Sequence, residues 1–104
     1  MSVVTVYTVF KDADEANAAA RTLVAEKLAA CVNLLGSCRS TYAWEGKIET
    51  TVESPALIKT DDKKIEAIIA RLKELHSYEN PAIAVWPIIA VTEAYASWVE
   101  DYVS

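Results

Sequence analysis

Few side chains in this sequence have the types and spacing for chemistry. His76 is the one histidine, and Glu79 follows three residues later. An imidazole beside a carboxylate suits copper or zinc, but a tight transition-metal site needs three or four ligands. A site at His76, with Glu79 as the weaker ligand, therefore needs donors from other copies of the chain. The plainer reading is a half-buried histidine near a helix end, where its cationic form favours the helix dipole. A second set combines Lys59, Glu49, Glu53 and Glu79 with the aromatics Tyr42, Trp44 and Tyr78. On solvated strand faces such charges need no function. If a hairpin packs against a neighbour, however, Lys59 and a carboxylate face a shared cleft beside Tyr42, Trp44 and Tyr78, which makes a small-ligand pocket. There is no Ser-His-Asp or Cys-His spacing and no Gly-rich phosphate loop, so no catalytic or cofactor-binding residue is assigned and an enzyme is not expected.

Those residues depend for their positions on one stretch, Cys31 to Thr60, which reads as two long strands folded back at Trp44-Glu45-Gly46-Lys47. Gly46 supplies the positive φ that a tight hairpin turn requires. Alternation of Ser40, Tyr42 and Trp44 with Arg39, Thr41 and Ala43 fits a sheet with unlike faces. At roughly 3.3 Å per residue the first arm would reach about 40 Å. A compact chain of this length has a radius of gyration of only about 13 Å, so the tip should overhang its own core. Another copy of the chain is expected to cover Tyr42 and Trp44, the alternative being a bulged hairpin that curls back on its own helices. Cys31 and Cys38 fall on one arm, about 23 Å apart if extended, whereas a disulfide needs Cα atoms within about 7 Å. Two free thiols suit a reducing compartment.

Elsewhere the elements follow from pattern. Val3 to Phe10 is apolar and β-branched at nearly every position, which suits a central strand buried on both faces. Asp12 and Glu15 have capping-box spacing and open an Ala-rich helix to about Ala30, with Ala16, Ala19, Ala20, Leu23, Val24 and Leu28 on one stripe. Gly36 and Pro55 mark expected bulges. Asp61 and Asp62 cap a second helix carrying Ile65, Ile68, Ile69, Leu72 and Leu75, which ends near His76. A loop over Ser77 to Pro81 leads to a strand over Ile83 to Ile88, with Pro87 suited to an edge. A last helix from Thr92 places Tyr95, Trp98, Val99 and Tyr102 on one face. The order predicts an α+β ferredoxin-like βαββαβ antiparallel sandwich with a long central hairpin and a C-terminal helix, as one domain over residues 1–104.

Composition narrows the partners. The formal charge is −5 and the hydrophobic fraction 53%, so a dense core is expected and a phosphate-neutralising surface for nucleic acid is not. No apolar run reaches the ~18 residues of a spanning helix, and Met1-Ser2-Val3 lacks a signal pattern, so a cytoplasmic protein without membrane attachment is expected. The same fold also carries RNA-recognition modules, metallochaperones and small phosphatases. Ala56 to Thr60 has no stacking aromatics, and Phe10-Lys11-Asp12-Ala13 carries neither a Cys-x-x-Cys pair nor an Arg-bearing anion loop.

Several spaced motifs together resemble one family. Ala25 to Asn33 (AEKLAACVN), Tyr42 to Glu49 (YAWEGKIE), Leu57 to Thr60 (LIKT), His76 to Pro81 (HSYENP) and the Tyr95–Trp98 pair are similar, in the same order and over almost the whole chain, to the CutA divalent-cation tolerance family. The resemblance implies a cytoplasmic homotrimer with interlocking hairpins, a role in tolerance of copper and other divalent metals, and no enzymatic activity. It also implies copper ligation by a Cys at the end of the first strand and by histidines before the Tyr-containing loop. At those places this chain has Thr8, Leu75 and His76, and Ser77 replaces a Pro. The expectation is therefore a trimer that binds Cu2+ weakly, with His76 and Glu79 as its metal candidates. The alternative is a small-ligand-sensing, adaptor or structural trimer with its cleft between subunits.

Overall fold

The computed structural model describes residues 2–104. Strand β1 (Val3–Phe10) is central, as its largely apolar, β-branched run suits, and pairs antiparallel with β4 (Lys47–Asp61) on one side and β5 (Ile83–Pro87) on the other. The order is β2-β4-β1-β5, which is the ferredoxin-like arrangement, with β2 (Cys31–Leu34) and β3 (Cys38–Trp44) both paired to β4. Pro87 ends an edge strand, where its missing N–H costs no ladder bond.

Helices α1 (Ala13–Ala25) and α2 (Ile65–Leu75) pack on the face presented by Val6, Phe10 and Ile58, burying Ala16, Ala19, Leu23, Ile68 and Leu72. Side chains alternate along a strand, so Val3 points the other way. There it joins Ala30, Val99 and Val103, and α3 (Glu93–Val103) covers that end of the second face. The Asp12 side chain accepts from Glu15 N at 2.9 Å and caps α1 as its spacing predicts.

Helix α1 ends earlier than its Ala-rich pattern suggests. Lys27 takes φ 59°, Lys27 N donates to Val24 O at 3.1 Å and Leu28 N to Leu23 O at 3.0 Å. These two bonds form a Schellman motif that stops the helix at Ala25 rather than Ala30, with a lysine where glycine is usual. Ahead of α2, the Asp61 carboxylate caps a short 3-10 turn, Asp62–Lys64, by accepting from Lys63 N.

The first arm of the hairpin is two strands rather than one. Between the pairs Leu34↔Ala56 and Cys38↔Glu53 three residues oppose two, so one extra residue sits at Leu35–Ser37 around Gly36 at φ 82°. This bulge reverses which residues of the arm share a face. Pro55 needs no bulge of its own, because β4 keeps unbroken register with β1 from Val3↔Asp61 to Phe10↔Ser54.

Beyond Ser54 strand β1 has ended, and β3 with residues 47–53 of β4 continues as a two-stranded ribbon. Glu45 at φ 50° and Gly46 at φ 79° make the type I′ turn at its tip. All residues from 41 to 50 are exposed, and the Cα envelope measures 45 × 26 × 23 Å, so the hairpin projects instead of curling back.

Candidate functional site

The side chains most tightly organised for a purpose lie where the loop after α2 meets the root of the ribbon. His76 caps α2, donating its backbone N–H to Leu72 O at 3.0 Å, and then leaves the helix in extended geometry. Its ring is buried. Thr8, fully buried on β1, lies 2.7 Å from His76 Nε2 through Oγ1 and donates to the Ala82 carbonyl at 2.8 Å. A hydroxyl has one hydrogen, so with that hydrogen on Ala82 the imidazole must donate from Nε2. Nδ1 is then the bare nitrogen, and it is buried without a hydrogen-bond partner among the described residues.

Aromatic stacking continues the arrangement. The His76 ring lies 4.4 Å from Phe10 and 6.0 Å from Tyr78, close to parallel with each. Tyr78 in turn donates its hydroxyl to Glu53 Oε2 at 2.5 Å. Ser77 N donates to Glu15 Oε1 at 3.0 Å, which ties the same loop to α1. Burial, then the hydrogen bond and charge of Glu53, push the Tyr78 phenol well above its ordinary range, so it stays a donor. Burial lowers the pKa of His76, while the carboxylates of Glu15 and Glu53 act in the opposite direction.

The residues singled out from sequence separate into three places. Tyr78, Glu53 and His76 meet at the ribbon root, as above. Tyr42 and Glu49 are cross-strand partners further out, where Tyr42 Oη is 2.9 Å from Thr51 Oγ1, and Trp44 lies opposite Lys47 at the tip. Lys59 is distant, ten residues from Glu49 along one strand and thus about 33 Å away. Its ammonium is hydrogen-bonded to Asn33 Oδ1, on the face opposite the helices, and its cross-strand partners are Cys31 and Thr5. A cleft joining Lys59 to Trp44 therefore requires two chains. Sequence reasoning missed the roles of Phe10, Glu15 and Ala82 at this site. The one available signal was Thr8, a hydroxyl between Val6 and Phe10 on the helix-facing side of the strand.

As a copper site the donor set does not fit. The Thr8 hydroxyl is used twice, His76 Nε2 is engaged, and Nδ1 is buried. Leu75 packs against the apolar core, and Glu79 is exposed. Among the described residues no group of three or more His, Cys, Asp or Glu side chains could hold a metal ion. Both cysteines are free; Cys31 lies on β2 opposite Lys59, and Cys38 on β3 opposite Glu53.

The CutA1 divalent ion tolerance protein family model matches residues 4–102. The chain belongs to the CutA1 family. A CutA1 relative from Pyrococcus horikoshii, the divalent-cation tolerance protein CutA, is 41% identical over 97 residues, covering 93% of this chain and 94% of its own. The CutA structure from Xylella fastidiosa superposes with a TM-score of 0.97 at 36% identity and full coverage of both chains. The periplasmic CutA from Archaeoglobus fulgidus gives 0.95 at 32% identity, covering 98% of this chain and 99% of that one. The CutA1 family is thus named for divalent-cation tolerance and not for an enzymatic reaction. Among the described residues no helix is long and apolar enough to cross a membrane.

Proposed function

We propose that the protein serves divalent-cation tolerance as a cytoplasmic homotrimer, with no enzymatic activity of its own. The observation that carries this reading is the ribbon. Its pairing puts Tyr42, Trp44, Lys47 and Glu49 on one face and Ala43, Ile48, Val52 and Arg39 on the other. Ile48 is 82% exposed, Val52 61% and Trp44 58%, so both faces carry uncovered apolar surface. Away from the ribbon, Trp86, Ile89, Val91 and Trp98 are also exposed apolar side chains. Unlike exposed apolar surfaces on one chain favour head-to-tail contact, which closes into a ring when the rotation between copies allows it. Three members is the number that the family resemblance implies.

Cu2+ binding is weak in this reading and rests on donors that adjoining chains bring together, because His76 Nε2 is engaged with Thr8. Reduced Cys31 and Cys38 support the cytoplasm. Named relatives occupy other compartments, periplasmic in Archaeoglobus fulgidus and chloroplastic in rice, so fractionation of the native cell is the direct check. Sedimentation at micromolar concentration should return a trimer mass, and a monomer would reject the assembly. Cu2+ calorimetry on wild type and His76→Ala should give superimposable weak isotherms.

A second reading, a small-ligand trimer, is favoured by one feature. Lys59 and Asn33 share the open sheet face with the stacked Tyr7–Trp86 pair, whose centroids are 5.1 Å apart. A neighbouring ribbon would roof them. A metabolite thermal-shift screen that finds no stabilising compound counts against it.

A further inference from the structure

We propose that Thr8, His76, Tyr78 and Glu53 form a strut that sets the angle at which the β3–β4 ribbon leaves the sheet, and that this positioning role replaces copper ligation at the site. It rests on the reading above only in taking the ribbon as the surface through which copies meet.

The ribbon is a cantilever with a definite hinge. Phe10↔Ser54 is the last pair that β1 supplies to β4, and Glu53 is the first residue past it. Two strands alone twist and bend easily, since neither face is packed. The Tyr78 hydroxyl is bonded to Glu53 at 2.5 Å, one residue beyond the hinge, where small rotations are magnified along the arm. A phenol–carboxylate bond is charge-assisted and stronger than a neutral one.

Tyr78 is itself held from behind. Its ring stacks on His76, which stacks on Phe10 and donates to Thr8, and Thr8 closes onto Ala82 at the other end of the same loop. The bond from Ser77 N to Glu15 stops the loop from sliding along α1. The sequence 76–82 is thereby pinned to β1, α1 and β4 together. A metal on His76 Nε2 would have to break the Thr8 bond, and with it the register that brings Tyr78 to Glu53. Thr8 suits the strut better than a thiol would, because only a hydroxyl here gives one strong hydrogen bond while accepting another.

The test uses the intact protein with Tyr78→Phe, which removes one hydroxyl, and Thr8→Val, which is nearly isosteric. Amide hydrogen exchange is read in the ribbon, residues 40–53, and in β1. Loss of a hydrogen bond to a charged group should speed ribbon exchange about tenfold in Tyr78→Phe. The β1 amides should stay unchanged, and the trimer should dissociate at higher protein concentration. Unchanged ribbon exchange in Tyr78→Phe overturns the strut. Should Thr8→Val fail to fold by circular dichroism, Tyr78→Phe alone decides. If the chain proves monomeric, the assembly reading falls, yet the exchange comparison still decides the strut. For the metal, Cu2+ is added under optical absorption to the chain with Cys31→Ser and Cys38→Ser, which removes the two free thiols, with and without Thr8→Cys. A thiolate-to-copper charge-transfer band only when Thr8→Cys is present supports the replacement, and a His76-dependent copper spectrum with Thr8 in place overturns it.

Discussion

The two ends of β4 contrast sharply. From Ser54 to Asp61 the strand pairs with β1, and from Ala56 to Lys59 also with β2, and Ala56, Ile58, Thr60 and Asp61 are wholly buried. From Lys47 to Val52 the same strand has one partner, β3, and only Thr51 is even partly covered. Apolar content does not separate the halves, since Ile48 and Val52 are as hydrophobic as Ile58. What separates them is whether this chain supplies a covering layer. One half is stabilised by its own helices, and the other is left uncovered by this chain.

The largest test of that contrast lies in the body. Phe10 is 1% exposed and touches both the core and the His76 ring, so Phe10→Ala should cost about 3–5 kcal/mol in chemical unfolding. A loss below about 1 kcal/mol would mean that the body is not packed as described. Next comes the ribbon. Ile48→Asp combined with Val52→Asp should change intrachain stability by less than about 0.5 kcal/mol each, as exposed positions do. Assembly should be lost, because each such side chain contributes about 1.5–3 kcal/mol on full burial. Sedimentation alongside unfolding separates the two effects, and an intact trimer in the double variant would erase the contrast.

Legibility in the sequence followed the same division. The strands, the helices and the turn at Glu45-Gly46 were readable because each is set by a local period, a cap or a positive φ. The end of α1 was not, because Lys27 holds a left-handed conformation that composition does not announce. The bulge around Gly36 was readable as a break, but its consequence for which side chains share a face appears only with the register. The candidate site was legible in parts. His76, Tyr78 and Glu53 were all singled out, whereas their connection was not, since Thr8 reaches His76 across 68 positions and Tyr78 reaches Glu53 across 25. No periodicity carries information over such separations. Lys59 and Trp44 were expected to meet only between chains, and the length of β4 is what keeps them apart within one.

A smaller effect pairs two residues in left-handed geometry, one in each region. Lys27 closes α1 in the body, and Glu45 sits in the ribbon turn. A non-glycine residue there costs roughly 1–2 kcal/mol. Lys27→Gly should therefore raise global stability by about 1 kcal/mol, less the ~0.5 kcal/mol of the exposed cation–π contact with Tyr102. Glu45→Asn gives the Asn-Gly pair that type I′ turns favour, yet should leave global unfolding almost unchanged and slow only the opening of the ribbon in hydrogen exchange. Equal gains in global stability would show that the ribbon folds as one unit with the body.

The smallest expected effect is a pH dependence confined to the body. Burial lowers the pKa of His76, so the folded state prefers the neutral ring and the unfolded chain binds the extra proton first. That contribution is fully present above the unfolded value of about 6.5 and is lost as pH falls through the lower folded value. The Glu15 and Glu53 carboxylates oppose the shift, which keeps the loss small. Carboxylates such as Glu26, held low chiefly by its hydrogen bond with Arg71, lose their own contribution only at more acid pH, so they share wild type and variant alike. Subtracting the unfolding profile of His76→Phe from that of wild type isolates the histidine. The difference should vary with pH just below 6.5 and flatten above it, while ribbon exchange rates, corrected for intrinsic chemistry, follow the same curve only if Tyr78 transmits the change at His76 to Glu53.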